Sequence, residues 1–311
     1  LGQLDAAVKC YEKAIAIQPD YAEAHNNLGL TLHKLGQVDA AVESYKKALA
    51  VNPDYAEVNY NLGLTFQHLN QLDAAVKCYK KAIAIQPDYA EAHNNLGNAF
   101  MDLGQLDAAV KSYEKALTLK TDNAETYNNL GIAFYKLDQT DVAIKCYKKA
   151  LTLKPDYADA YANRGNAMKR LERLDEALSS YKSAITINPD IVFILGDIYF
   201  TKMHLCIWND LPNLLNELTN KINNGEKVLN PFPLLALIDD PEIQRKAAEI
   251  YANEKYPQSR VLSRIERYQK HKKIRIGYFS ADFRDHPVSD LTAELYEMHD
   301  RERFEIHAFS F

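Results

Sequence analysis

"AEAHNNLGLTLHKLGQVDAAVESYKKALAVNPDY", residues 22–55, decides the fold. The stretch after it, "AEVNYNLGLTFQHLNQLDAAVKCYKKAIAIQPDY" (56–89), is a close copy, and "AEAHNNLGNAFMDLGQLDAAVKSYEKALTLKTDN" (90–123) is another. Further copies fill 124–157 and 158–191, and residues 1–21 are the second half of an earlier one. The period is 34 residues. A unit this short cannot bury its apolar face alone, so such a period implies hairpins stacked in an array.

Each copy predicts two helices. In the first full copy they run from about Ala22 to Leu35 and from Val38 to Val51. Gly36-Gln37 breaks them, and Asn52-Pro53-Asp54 ends the second, because proline cannot continue a helix. Small residues recur where helices must touch. Gly29, Gly63, Gly97, Gly131 and Gly165 mark the first helix, and Ala41, Ala75, Ala109, Ala143 and Ala177 the second. Tyr45, Tyr79, Tyr113, Tyr147 and Tyr181 then fill the space between. These tyrosines are expected to pack rather than react.

The totals fit a folded chain. Of 311 residues, 47% are hydrophobic and 25% charged, with a net charge of -5. That balance argues against a general binder of nucleic acid or anionic membranes. No apolar run approaches the roughly 20 residues that span a bilayer, and no secretory signal opens the sequence. The chain opens inside a repeat and reads as a fragment. Cys10, Cys78 and Cys146 lie two repeats apart, too far to bridge across intervening helices. With Cys206 they are expected as small buried residues in a reducing cytoplasm. No metal-ligand spacing is present.

One polar position is constant in every full copy: Asn27, Asn61, Asn95, Asn129 and Asn163. Asn is a mediocre helix former, so its persistence asks for a reason. Four residues earlier lie Glu23, Glu57, Glu91, Glu125 and Asp159. Seven residues later lie Lys34, His68, Asp102, Lys136 and Arg170, a row that varies. Helical spacing puts all three rows on one side. A carboxamide both donates and accepts, which suits the main chain of an extended peptide. It equally suits a bond to the neighbouring helix, and both readings stand at this point.

The period fails after Asp190. Residues 192–273 read as a helical cap and connector, with a turn-rich break at "GEKVLNPFP" (225–233) and a helix over 241–256 that has proline near its start. Ile194 and Ile198 sit at helical spacing in the cap, which also holds Trp208. The basic stretch from Arg260 to Lys273 reads as a solvated connector. "IRIGYFS" (274–280) then predicts a buried strand, "PVSDLTAELYEMH" (287–299) a helix and "FEIHAFSF" (304–311) a second strand. This β-α-β is the opening of a doubly wound domain, 274–311, cut off early. His286 falls in the corner beyond the first strand, where such domains hold ligands.

Two resemblances rest on these residues. The Leu-Gly, Ala, Tyr, Ala and Pro pattern at this period resembles the tetratricopeptide repeat, with Thr121 and Arg164 standing where proline and leucine are usual. It implies a mainly α fold, an α-solenoid wound as a right-handed superhelix with a groove lined by the first helices. "GYFSADFRDHPV", with "TKMHLCIWNDL" and "NPFPLLALIDDPEIQRKAAEIY" before it, resembles the bacterial members of the protein O-GlcNAc transferase and SPINDLY-like family. That resemblance implies a truncated Rossmann-like domain of glycosyltransferase B type. It also implies inverting transfer of a sugar to Ser or Thr of acceptor proteins. The donor would be UDP-GlcNAc, with GDP-fucose the alternative, and neither cofactor nor metal is implied. It puts His286 in the active site, with Asp282 weakly beside it and Arg284 in the loop. The asparagines at 27, 61, 95, 129 and 163 would hold acceptor backbone in the groove. Residues 1–311 by themselves are expected to be inactive. A scaffold that binds partners without catalysis is the rival reading.

Overall fold

The computed structural model describes residues 2–209, 211–235, 237–256, 273–280 and 300–310. The chain divides into two compact units, Leu1–Tyr256 and Pro257–Phe311.

The first unit opens on α1 (Gly2–Ile17), the lone second helix of the half copy. Hairpins follow as α2 (Ala22–Lys34) with α3 (Val38–Val51), and α4 (Ala56–His68) with α5 (Leu72–Ile85). Next come α6 (Ala90–Asp102) with α7 (Leu106–Leu119), and α8 (Ala124–Lys136) with α9 (Thr140–Leu153). The last hairpin is α10 (Ala158–Arg170) with α11 (Leu174–Ile187). These bounds match the helices read from the first copy to within a residue.

Packing within each hairpin turns on one pair. A Cβ built on Gly29 would sit 2.6 Å from Cε1 of Tyr45, and one on Gly97 would sit 2.5 Å from Cε1 of Tyr113. The same holds at Gly63, Gly131 and Gly165. The ring lies flat on bare helix backbone, which is why the first helix tolerates glycine at all. All five tyrosines and the five alanines from Ala41 to Ala177 are fully buried. Burial pushes the Tyr45 hydroxyl up to about 12, so these rings stay neutral and apolar in character.

The turn inside each hairpin has its own demand. The residue after the first helix's cap is left-handed in every copy: Gly36 (φ 75), Asn70 (φ 57), Gly104 (φ 72), Asp138 (φ 59) and Glu172 (φ 58). Glycine is free there, and Asn and Asp bear it through short polar side chains. Glu172 has neither advantage. Replacing Glu172 with Gly is expected to raise the unfolding free energy by about 1 kcal/mol, read as a higher urea midpoint with an unchanged slope.

Arg164, standing where leucine is usual, half-buries its guanidinium. It donates from Nε to Ser180 Oγ at 3.1 Å and lies 5.1 Å from the Tyr161 ring centroid. Burial lowers its pKa from the ordinary value. The cysteines correct an expectation. Cys78 and Cys146 are buried, and desolvation pushes their thiols up to about 11. Cys10 and Cys206 are exposed. Cys10 lies on α1, which buries no residue because it packs on α2 from one side.

Beyond the array come α12 (Ile194–His204), α13 (Leu211–Asn223), α14 (Pro231–Leu234) and α15 (Pro241–Lys255). Asn230 and Asp240 cap the last two through their side chains. Ile194, Ile198, Leu218, Ile222, Leu234 and Ile243 join Tyr147 and Tyr181 in one apolar cluster. The end face of the array is thus covered, as a stacked array requires. Trp208 stays 46% exposed.

In the second unit β1 (Ile274–Ser280) and β2 (Phe304–Ser310) pair in parallel, Ile274 opposite Phe304 through Ser280 opposite Ser310. Arg275 Nε donates to Glu305 Oε2 at 2.9 Å across the pair and holds that carboxyl below its ordinary range. A parallel pair needs a crossover connection. The residues between the strands, with the helix expected over 287–299, lie outside the described residues. So does the basic stretch before β1 apart from Lys273, whose Nζ donates to the Arg301 carbonyl at 2.6 Å.

Candidate functional site

The first helices α2, α4, α6, α8 and α10 stand side by side along the array. Their shared face carries the three polar rows. The acidic row is exposed at all five positions, Glu23, Glu57, Glu91, Glu125 and Asp159. In the outer row Lys34, His68, Asp102, Lys136 and Arg170 are exposed too. Between them the asparagines are half-buried, and Asn61 is buried.

The asparagines bond backwards, from one first helix to the one before. Asn61 Nδ2 donates to Asn26 Oδ1 at 3.1 Å, and Asn163 Nδ2 to Asn128 Oδ1 at 3.0 Å. Asn95 Nδ2 donates to the Tyr60 hydroxyl at 2.8 Å, and Asn129 Nδ2 to Asn98 Oδ1 at 3.1 Å. Four of the five asparagines thus form a ladder of bonds between first helices. Capacity is left over. Each carboxamide has a further N–H, and Asn61 and Asn163 accept no bond on Oδ1 among the described residues. Asn27 has no first helix before it there, and its carboxamide makes no bond among the described residues.

Asn98 is a hub that sequence reading missed. Its Oδ1 accepts from Tyr113 at 2.7 Å and from Asn129, and its Nδ2 donates to Asn95 Oδ1 at 3.3 Å. Other copies carry Leu, Ile or Asn at this position. The buried tyrosine of the third hairpin is so tied to the amide ladder.

A second contact recurs at three of the four junctions of first helices. His33 and His68 meet edge to face, ring centroids 5.4 Å apart. Burial, then the His68 charge, lowers the His33 pKa. Gln67 Nε2 donates to Asp102 Oδ2 at 3.1 Å, while Gln67 Oε1 accepts from the buried Tyr79 hydroxyl at 2.9 Å. Arg170 lies 3.7 Å from the Tyr135 ring centroid, and its Nη1 donates to the Tyr135 carbonyl and to Asp138. The helical offset along this row is 35 residues, one more than the period. Comparing residue n with n+35 would have exposed these pairs in the sequence.

A cavity of about 370 Å³ opens on this face. It is lined by Gln67, Asn98, Met101, Asp102, Tyr113, Asn129 and Ile132. Its floor is amide and phenol, its sides are thioether and aliphatic, and one carboxylate stands at its edge.

The other candidates are not placed. His286, Asp282 and Arg284 lie outside the described residues. Among the described residues no cluster of three or more His, Cys, Asp or Glu could hold a metal ion, and no helix is long and apolar enough to cross a membrane.

Stacked hairpins, each closed by a glycine–tyrosine contact, with a polar first-helix face, define a helical repeat protein. The tetratricopeptide repeat model matches residues 1–36, 31–70, 68–104, 97–138 and 133–172, and a second such model matches 158–191. The chain belongs to the tetratricopeptide repeat proteins. Residues 252–311 match glycosyl transferase family 41. The chain is also similar to a probable UDP-N-acetylglucosamine–peptide N-acetylglucosaminyltransferase, SEC, of Arabidopsis thaliana, with 28% identity over 128 residues. The match spans 35% of this chain and 13% of that protein.

Among solved structures, MamA is 29% identical with a TM-score of 0.50, covering 52% of this chain and 95% of its own. YrrB, described as a tetratricopeptide protein with an unusual peptide-binding site, is 22% identical with a TM-score of 0.53. It covers 64% of this chain and 98% of its own. The Cut9–Hcn1 hetero-tetramer is 16% identical with a TM-score of 0.57, over 80% of this chain and 46% of that one. The last two show the fold alone, a mainly helical superhelix of tetratricopeptide type.

Proposed function

We propose that this chain is the front part of a protein O-glycosyltransferase that holds acceptor proteins as extended segments on the first-helix face. The carrying observation is the order of matches: tetratricopeptide repeats through residue 191, then glycosyl transferase family 41 over 252–311. The likeness to SEC supports N-acetylglucosamine from UDP-GlcNAc as the transferred group. The Ser or Thr oxygen of the acceptor attacks the anomeric carbon, the bond to the nucleotide diphosphate breaks, and the diphosphate leaves. The hydroxyl proton passes to a base, for which the His286 imidazole has the right titration range. Asp282 is the second candidate for the active site. No metal or cofactor takes part, and the four free cysteines suit a reducing cytoplasm.

On the acceptor side, Asn27, Asn61, Asn95, Asn129 and Asn163 offer spare N–H groups to peptide main chain, and Asn27, Asn61 and Asn163 offer carbonyls free among the described residues as well. The acceptor rests on a ladder already rigid through inter-helix bonds. Little side-chain ordering then remains to be done on binding.

The full-length protein, incubated with UDP-GlcNAc or GDP-fucose and a Ser/Thr peptide mixture, tests this by mass spectrometry. The expected result is an N-acetylhexosamine on Ser or Thr, about 100-fold slower with His286→Ala. Asn95→Ala with Asn129→Ala and Asn163→Ala should raise the acceptor KM and spare donor hydrolysis. Fucose transfer would change the donor. Absence of transfer from either donor, with partners still bound, would establish a scaffold instead.

A further inference from the structure

Four junctions of first helices set a residue of one copy against the outer row of the next. The two imidazoles of His33 and His68 occupy each other. Arg170 is spent on Asp138 and on the Tyr135 ring and carbonyl. Lys136, following Met101 at the same offset, makes no ion pair among the described residues. Asp102 differs from all of these. Gln67 holds its Oδ2, and the buried Tyr79 hydroxyl holds Gln67 in turn. Oδ1 has no partner among the described residues. The carboxylate is thus tied on one oxygen to the core through Gln67, and it lines the cavity together with the apolar Met101 and Ile132.

We infer that this cavity is a specificity pocket for one Lys or Arg side chain of the bound segment. The inference rests on reading the first-helix face as the acceptor groove. A long cationic side chain has an apolar stem and a charged head. The stem lies along Met101 and Ile132, and the head meets Asp102 Oδ1. An anionic side chain there would face a carboxylate that Gln67 holds on one oxygen. Neighbouring first helices stand about 8–10 Å apart, and an extended chain rises about 3.3 Å per residue. The next outer-row residue, Lys136, therefore meets the segment about three residues from the one over Asp102. The preferred segment carries a base and, about three residues away, an acid.

The experiment uses the full chain and fluorescent Ser-containing peptides about nine residues long, which span about three copies. Each position is Lys, Glu or Ala in turn, and binding is read by anisotropy. Wild type should favour Lys over Glu at one position on the order of ten-fold, less at high salt. Asp102→Lys should reverse the preference at that position and leave the others alone. Gln67→Ala should blunt it by freeing the carboxylate. Asp102 is exposed, so its variant keeps the fold, and a melting curve checks this. Peptides that bind through the asparagine ladder yet select the same residues with Asp102→Lys would overturn the pocket and leave the groove standing. Peptides that fail to bind, or bind equally after the asparagine substitutions, would remove the groove and the pocket with it.

Discussion

Tyr113→Ala should lower the unfolding free energy of the array by about 3–5 kcal/mol, the usual loss for deleting a buried aromatic ring. The ring is 1% exposed and lies on the backbone of α6 at Gly97. No side chain exists at Gly97 to relax into the void, so the hole stays open. The hydroxyl matters less. Tyr113→Phe removes one bond to Asn98, at about 1 kcal/mol, while Asn98 Oδ1 keeps its bond from Asn129. Urea unfolding of the three proteins separates the effects. A loss under about 1 kcal/mol for the alanine variant would mean the ring does not join the two helices. In a stacked array the weakened hairpin also uncouples its neighbours, so the transition should broaden.

Gly196→Ala is the second large effect, and its sign runs against helix propensity. In an ordinary helix the change stabilises by about 1 kcal/mol. In α12 the new Cβ would stand only 2.8 Å from the Leu229 Cα, with the Leu229 Cβ closer still. Backbone cannot step aside cheaply. The same crossing holds two bonds, Phe193 N–H to the Lys227 carbonyl at 2.7 Å and Gly196 N–H to the Val228 carbonyl at 2.9 Å. They satisfy donors at the start of α12 that the helix leaves unpaired. Overpacking of 1–3 kcal/mol and weakened bonds outweigh the gain, for a net loss of about 2–3 kcal/mol. The cap should loosen from the last hairpin and expose Leu218, Ile222 and Leu234, read as dye binding before the main melt. Gly2→Ala, with nothing near its added carbon, is the control and should not destabilise.

The sequence carried most of the array. The period placed every hairpin, and the proline and glycine punctuation placed helix ends to within a residue. The glycine–tyrosine pairing was legible because close helix packing demands a small residue opposite a large one. The cap was legible as a break in period followed by apolar residues at helical spacing. The cysteines were less so. Cys10 shares its repeat position with the buried Cys78 and Cys146, yet it is exposed. Burial depends on what stacks against a helix, and repeat position does not encode that. The strands β1 and β2 fall on the two β-forming runs and pair in parallel, while the connection expected between them lies outside the described residues.

The site was only half legible. The asparagine row stood out by its constancy, but constancy served two explanations equally. The structure shows the ladder bonds, and the peptide role stands as a proposal beside them. The hub at Asn98 was not legible because its position varies between copies as Leu, Ile or Asn. The brace from Tyr79 through Gln67 to Asp102 joins two copies, so no single copy displays it.

By itself the sequence determined the period, the helices, their ends and the residues that must be small or large. These follow from local backbone preference and the 3.6-residue turn, which each segment expresses whatever its neighbours do. The tertiary structure alone decided which side chain faces which across neighbouring copies. That choice comes from how the ridges of one first helix settle into the grooves of the next, which here shifts partners to 35 residues apart. One residue of offset turns a varying row into pairs, and it leaves the carboxylate of Asp102 braced on one oxygen and open on the other.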